Sequence, residues 1–106
     1  MRSIKNLLKL NGRIYLYLQD EKIGKLFLEN AEKEGFTFGD GVNPTKRKAD
    51  SIFAINDDFT INYVGYIGHL AFNSSVDKIV RIDYYKYLSD DDEYVFWVFA
   101  QQKRAS

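Results

Sequence analysis

The 106-residue chain carries 15 Lys and Arg against 15 Asp and Glu, and 45% of its residues are hydrophobic and 16% aromatic. This length and composition predict one folded domain over residues 1–106, with a frayed tail at 101–106. The neutral balance removes the whole-protein electrostatic argument for a nucleic-acid partner, and the lack of cysteine excludes disulfides, thiolate nucleophiles and cysteine-ligated metals.

The chain starts with MRSIKNLLKLNGR, which lacks the long apolar core of a signal peptide. No run approaches the ~20 apolar residues that a membrane span needs. We therefore expect a cytoplasmic protein that makes no membrane contact. Neither a cofactor nor a metal is expected, since no spacing of residues matches a known binding loop for either.

The first predicted element is a short helix over residues 3–10, with Ser3 capping its start. Ile4 and Leu7 share one face at helical spacing, and Asn11-Gly12 can end the helix because both residues tolerate the left-handed conformation. The same dipeptide is typical of a two-residue hairpin, so the alternative is that this segment is a hairpin strand. We favour the helix.

The main helix is predicted from Asp20 to Glu34, where apolar residues form one stripe. Asp20 stands at the N-cap position. Gly35 stops the helix, and Phe36 follows where a Schellman motif places a hydrophobic contact. Gly24 costs ~1 kcal/mol relative to Ala inside a helix, which indicates a close approach to the sheet.

The apolar, β-branched and aromatic runs predict strands. The predicted strands are Arg13 to Leu18, Phe36 to Phe38, Ser51 to Asn56, Thr60 to Val64, His69 to Phe72, Ile79 to Tyr84 and Tyr94 to Ala100. A turn or bulge is predicted at Tyr66-Ile67. Tyr85 to Leu88 is predicted to form a helical turn or to leave the sheet. The predicted fold is α+β, with one main helix packed on a mostly antiparallel sheet of about five strands. Since Tyr94 to Ala100 is apolar on both faces, it is covered on both sides or forms a homodimer contact.

The loop from Gly39 to Lys48 is the main candidate for a functional site, because it holds two of the seven glycines and the densest positive charge. Glycines let backbone amides approach a ligand, and basic side chains attract phosphate or carboxylate. The candidate ligand-binding residues are Asp40, Thr45, Lys46, Arg47, Tyr63, Tyr66 and His69. The loop is not a phosphate-binding Walker loop, and the alternative is a solvated connection.

The single histidine, His69, suggests a second class of function, a small hydrolase or nuclease in which a carboxylate orients the imidazole. The alternative role is a hydrogen-bonded residue of the sheet. The acidic runs Asp57-Asp58 and Asp90 to Glu93 lack the spacing of calcium loops and predict turns.

Several tyrosines, together with Arg47 or Arg81, could form a stacking face for a nucleobase. They are Tyr15, Tyr17, Tyr63, Tyr66, Tyr84, Tyr85 and Tyr87. The alternative is that half or more of them serve in packing, with their hydroxyls at the edge of the core.

The pattern FGDG at Phe38 to Gly41, then Pro44-Thr45 and Arg47, then INYVG at Ile61 to Gly65 marks a resemblance. From Tyr15 to Tyr87 the chain resembles a family of small uncharacterised proteins of Gram-positive bacteria, their prophages and other mobile elements. The resemblance implies no activity. It implies a setting in which short accessory proteins act by binding, for instance by blocking a host protein or sequestering a nucleotide signal.

The expected function is therefore a non-enzymatic binding module of the prophage or mobile-element type. Its expected partner is a protein or a small anionic, nucleotide-like ligand. We expect the Gly39 to Lys48 loop and the neighbouring aromatic residues to bind this partner. A nucleic-acid partner is not expected from the neutral charge balance.

Overall fold

The computed structural model of the chain describes residues 2–65 and 79–95. Its elements are α1 (Ile4–Leu7), β1 (Arg13–Tyr17), α2 (Glu21–Lys33), β2 (Thr37–Phe38), a 3₁₀ turn (Pro44–Lys46), β3 (Ile52–Ile55), β4 (Thr60–Tyr63), β5 (Ile79–Asp83) and α3 (Tyr84–Leu88). The predicted turn at Tyr66-Ile67, the strand His69 to Phe72, most of the strand Tyr94 to Ala100 and the tail 101–106 lie outside the described residues.

The five strands form one sheet in the order β2-β4-β3-β1-β5. Strand β3 pairs antiparallel with both β1 and β4, whereas β5 lies parallel to β1 and β2 lies parallel to β4. An antiparallel bridge also joins Ile82 to Val95, so three of the five pairings described are antiparallel. The predicted α+β fold, with its sheet of about five strands and antiparallel majority, is confirmed.

Helix α2 begins and ends at the residues that the sequence predicts. The Asp20 carboxylate accepts a hydrogen bond of 2.9 Å from the Ile23 N–H and caps the first turn. At the other end Gly35 adopts φ +91°, and the Phe36 N–H donates to the Ala31 carbonyl at 2.9 Å. This pair of features is the Schellman motif, which confirms the predicted stop.

The core lies between the helices and one face of the sheet. The Phe27 ring of α2 is fully buried, with its centroid 5.5 Å from that of Phe53 on β3 and 5.3 Å from that of Tyr84 on α3. The buried Asn30 Nδ2 donates to the Tyr84 hydroxyl at 3.0 Å, so two polar groups in the core satisfy each other. Burial raises the pKa of Tyr84 to about 12.

The N-terminal segment is a helix, which makes the hairpin alternative for residues 3–10 wrong. The Ser3 hydroxyl accepts from the Asn6 N–H at 3.3 Å, as predicted for a cap. The Glu34 carboxylate accepts from the backbone N–H groups of Ile4 and Lys5 at 2.8 and 3.0 Å. A carboxylate stabilises the N-terminus of a helix. Glu34, at the end of α2, therefore fixes α1 in place.

Gly24 makes the close approach that the sequence predicts, although its neighbour is not a strand. A Cβ at Gly24 would lie 2.6 Å from the Cβ of Ala49, in the segment that leads into β3. Real Cβ atoms do not approach that closely, so the absence of a side chain lets α2 and this segment touch. The same position lies 3.9 Å from the Leu18 Cδ1 at the end of the predicted first strand, so Gly24 also approaches the sheet there, although Ala49 is the nearer neighbour.

Both acidic runs form turns. Asp57-Asp58 lies in the connection between β3 and β4, which form the predicted hairpin. Arg2 contacts the second run, with its Nη2 2.8 Å from the Asp92 carboxylate and its guanidinium 5.4 Å from the Tyr87 ring centroid. Among the residues described, no group of three or more His, Asp and Glu side chains is placed to hold a metal ion.

Candidate functional site

The Gly39–Lys48 loop begins as a tight turn at the end of β2. The Phe38 N–H donates to the Val42 carbonyl at 2.9 Å, and the Gly41 N–H donates to the Phe38 carbonyl at 2.8 Å. Gly41 adopts φ +86°, a conformation that glycine reaches without strain. Gly41 therefore shapes a turn in which the N–H groups of Phe38 and Gly41 are bonded within the protein.

The 3₁₀ turn pins the middle of the loop to α2. The Thr45 N–H and the Thr45 hydroxyl both donate to the same oxygen of Glu32, at 3.0 and 2.7 Å. These two hydrogen bonds hold the pKa of the Glu32 carboxyl below its ordinary value, because they favour its charged form. Thr45 is thus a structural contact between loop and helix.

Arg47 is paired within the loop. Its Nη2 lies 2.5 Å from the Asp40 carboxylate, and its guanidinium carbon lies 4.6 Å from the centre of the Phe38 ring. The hydrogen bond from Arg47 lowers the pKa of Asp40, and Asp40 raises the pKa of Arg47. An anionic ligand at Arg47 would have to displace a carboxylate that is already in place.

Tyr63 fixes the end of the loop. Its hydroxyl donates to the Lys48 carbonyl at 2.5 Å, and its ring centroid lies 4.9 Å from that of Phe53 and 5.5 Å from that of Phe38. Partial burial raises the pKa of this phenol. Tyr63 is 41% exposed and lies at the edge of the cluster that it forms with Phe38 and Phe53.

The structure therefore brings Asp40, Thr45, Arg47 and Tyr63 around one loop, where each makes a contact within the protein. Lys46 is exposed and lies near enough to Glu32 to contribute to its lowered pKa. Tyr66 and His69 lie outside the described residues, so the pairing of His69 with a carboxylate stays a prediction.

The prediction that all seven tyrosines form one stacking face is wrong. Tyr84 and Tyr87 are buried in the core on α3, and the Tyr87 hydroxyl donates to the Ser3 carbonyl at 2.6 Å. Arg81 is 3% exposed and cannot serve as the charged partner of such a face. The alternative, in which tyrosines serve in packing, is confirmed for Tyr84 and Tyr87.

A groove of about 370 Å³ runs between α2 and the second half of the loop. Its lining residues are Glu21, Lys25, Leu28 and Glu29 from α2, Thr45, Arg47 and Lys48 from the loop, and Ala49 from the segment that follows it. Leu28 and Ala49 give it apolar surface, while its rims carry both signs of charge. The contact of Gly24 with Ala49 sets how closely the two walls approach.

The α2 side of this groove was missed by the sequence analysis, although a signal for it exists. Glu21, Lys25 and Glu29 recur every four residues, which places them on one helical face beside Leu28. Lys25 and Lys48 are exposed and form no ion pair within residues 2–65 and 79–95. These two lysines are the cations of the groove that a partner could reach without displacing a carboxylate.

Comparison of the chain with models of protein families, with curated proteins and with solved structures finds no match. No helix in the described part of the chain is long and apolar enough to cross a bilayer. The candidate function therefore depends on the geometry of the surface.

Proposed function

We propose that the chain is a non-enzymatic binding module that takes a segment of a protein partner in the groove between α2 and the Gly39–Lys48 loop. The observation that carries the proposal is the combination of apolar surface at Leu28 and Ala49 with rims of both charge signs. A peptide matches such a surface, because it can present an apolar side chain between an acidic and a basic one.

A small anion fits this groove less well than a peptide does. Glu21 and Glu29 line it and would repel a phosphate or carboxylate, and Arg47 is already paired with Asp40. In a peptide, by contrast, a basic residue would meet Glu29 while an acidic residue meets Lys25 or Lys48. Mixed charge on the rims thus supports a protein partner over a free anion.

The fixed loop supports binding at this groove. Its contacts with Glu32, Phe38 and Tyr63 order the wall before a partner arrives. Ordering a mobile loop on association would cost free energy, so a wall held in advance leaves more of the contact energy for affinity. The resemblance to prophage and mobile-element proteins supports a cytoplasmic host protein as the source of the segment.

Selection from a displayed random-peptide library tests the proposal, because it samples many peptide sequences at once and requires no chosen partner. We expect the protein to enrich peptides with an apolar residue flanked by an acidic residue. The double variant Lys25→Glu/Lys48→Glu reverses the free cations of the groove, and we expect it to bind those peptides at least about tenfold more weakly.

The matched control is Lys22→Glu, since Lys22 is exposed on α2 and does not line the groove. It changes the net charge in the same direction and should leave peptide affinity within about twofold, because its side chain does not line the groove and makes no contact with a bound peptide. Failure to enrich any such motif, or equal weakening by Lys22→Glu, would reject the groove as the binding site.

A further inference from the structure

A second concave surface, of about 590 Å³, lies at the opposite end of β3 from the groove. Its walls come from the connection between α1 and β1 and from the turn between β3 and β4. The lining residues are Leu8, Lys9, Leu10, Asn11, Gly12, Arg13, Ile14 and Tyr15 on one side, and Ala54, Ile55, Asn56, Asp57 and Asn62 on the other. We call it the strand-end cleft.

The register of the sheet explains why this surface is hollow. Tyr15 on β1 is directly opposite Ala54 on β3, and Ala54 is directly opposite Asn62 on β4. Side chains directly opposite one another on paired strands point to the same face. The side chains of Tyr15, Ala54 and Asn62 form a row across three strands of the sheet. Because Ala54 has only a methyl group, it leaves a depression in the surface of the sheet between its two larger neighbours.

The charges at the rim differ from those of the groove. Lys9 and Arg13 are both exposed, and neither forms a salt bridge or a hydrogen bond through its side chain with any residue that the structure describes. Asp57 is the one carboxylate among the lining residues. The cleft therefore carries an excess of positive charge, and its guanidinium is available for an anion.

The wall on the β4 side is held in place by an amide network. The Asn56 Nδ2 donates to the Asn62 Oδ1 at 2.9 Å and to the Thr60 hydroxyl at 3.0 Å. The Asn62 Nδ2 in turn donates to the Tyr63 carbonyl at 3.0 Å. These bonds orient polar groups along the cleft before any ligand binds, which reduces the entropy that binding must cost.

We propose that the strand-end cleft binds a phosphorylated small molecule of nucleotide size. Arg13 and Lys9 would hold the phosphate, because an unpaired guanidinium forms paired hydrogen bonds with phosphate oxygens. Tyr15, half-buried in the wall, offers a ring against which an aromatic base packs. The volume lies within the range of about 300–1,000 Å³ that is typical of small-molecule sites.

This site does not depend on the peptide groove. The cleft uses the connection between α1 and β1, the adjoining ends of β1 and β3, the β3–β4 turn and Asn62 of β4, whereas the groove uses α2 and the residues from Thr45 to Ala49. The cations of the cleft are Lys9 and Arg13, whereas the unpaired cations of the groove are Lys25 and Lys48. Variants can therefore remove one site and leave the other, so failure of either proposal is seen separately.

Titration with AMP, inorganic phosphate and adenosine, followed by ¹H–¹⁵N NMR of the labelled chain, tests the cleft. We expect AMP to bind with shifts centred on the amides of Gly12, Tyr15 and Asn62. Inorganic phosphate should bind more weakly at the same amides, since it lacks a ring, and adenosine should bind at least tenfold more weakly than AMP.

The variant Arg13→Gln should weaken AMP at least tenfold, and Lys9→Gln should weaken it by a smaller factor. Lys48→Gln removes an exposed cation from the groove instead and should leave AMP binding unchanged. Three results would overturn the site: no saturable shift with millimolar AMP, equal binding by Arg13→Gln, or shifts centred on the Gly39–Lys48 loop. Equal affinity for AMP and inorganic phosphate would overturn the contact with Tyr15.

Discussion

The Gly39–Lys48 loop and the connection from Lys9 to Arg13 lie at opposite ends of β3, and they use their basic residues in opposite ways. In the Gly39–Lys48 loop Arg47 lies against Asp40 and the Phe38 ring, and its charge holds the loop in shape. In the connection from Lys9 to Arg13 the two cations have no partner among the described residues. Arg47, at the centre of the denser basic cluster, thus holds the loop in shape, whereas Lys9 and Arg13 are available for a ligand.

The difference shows that a count of lysines and arginines does not locate an anion site. A guanidinium beside a carboxylate has already lost part of its hydration and gained a partner, so a ligand adds little there. The deciding property is whether a carboxylate lies within reach of each cation in three dimensions. Three predictions test this comparison.

The largest expected effect comes from the contact that positions the loop beside α2. Gly24→Ala should lower the free energy of unfolding by up to about 2 kcal/mol, because overpacking costs ~1–3 kcal/mol and the gain in helix propensity returns ~1 kcal/mol. The added methyl would lie 2.6 Å from the Ala49 Cβ. Urea unfolding followed by circular dichroism measures the change.

The matching variant Gly24→Ala/Ala49→Gly removes the clash from the other side. We expect it to recover at least half of the lost stability, while Ala49→Gly alone should be mildly destabilising through its effect on the unfolded chain. If the double variant were as unstable as Gly24→Ala, the contact with Ala49 would not be the cause. Peptide binding at the groove should follow the same order, since these residues set its width.

A smaller effect should separate the paired cation from the free one. Arg47→Ala removes the pair with Asp40 and the contact with the Phe38 ring, and we expect the melting temperature to fall by a few degrees. Arg13→Ala should leave it unchanged within error, because no partner is lost among the residues described. Equal melting temperatures for the two variants would contradict the distinction.

The smallest expected effect is a loosening of the loop in acid. The pKa values of Glu32 and Asp40 are held below their ordinary values of 4.5 and 3.8 in the folded protein. Their contribution to stability is therefore complete above those values and is lost as the pH falls through the lower folded pKa values. The Thr45 amide donates to Glu32, so its NMR shift should titrate below pH 4.5.

A control for this titration is Glu32→Gln, which keeps the shape of the side chain and removes the titrating group. The Thr45 amide should then show no change over the same range of pH. A Thr45 shift that still titrated in Glu32→Gln would show that another carboxylate controls the loop. High salt should affect the Arg47 pair more than the Thr45 hydrogen bonds, since exposed ion pairs are screened.

Elements defined by local signals could be predicted from the sequence. Asp20 and Gly35 bound α2 because the groups they satisfy are within a few residues along the chain. The hairpin of β3 and β4 is short-range for the same reason. Its tip departs from the usual pattern, since Phe59 takes the left-handed conformation at φ +63° with its ring against Phe36.

The direction of β5 and the outline of both surfaces could not be predicted. β5 lies parallel to β1 through pairs such as Arg13 with Ile79, and residues so far apart leave no local signal of their pairing. The strand-end cleft requires two turns to meet, and its depth comes from the small side chain of Ala54 between two strands. The ion pair between Arg47 and Asp40, which makes Arg47 unavailable to a ligand, likewise depends on the path of the loop.

The tight turn after Phe38 has a consequence for how the sheet meets other molecules. β2 is an outer strand of only two residues, and the outward N–H and carbonyl of Phe38 are taken up by Val42 and Gly41. A strand from another chain would find no free backbone groups on Phe38 to extend the sheet. The turn thus blocks strand addition at Phe38, and a molecule that approaches the β2 edge there meets side chains instead of free backbone groups.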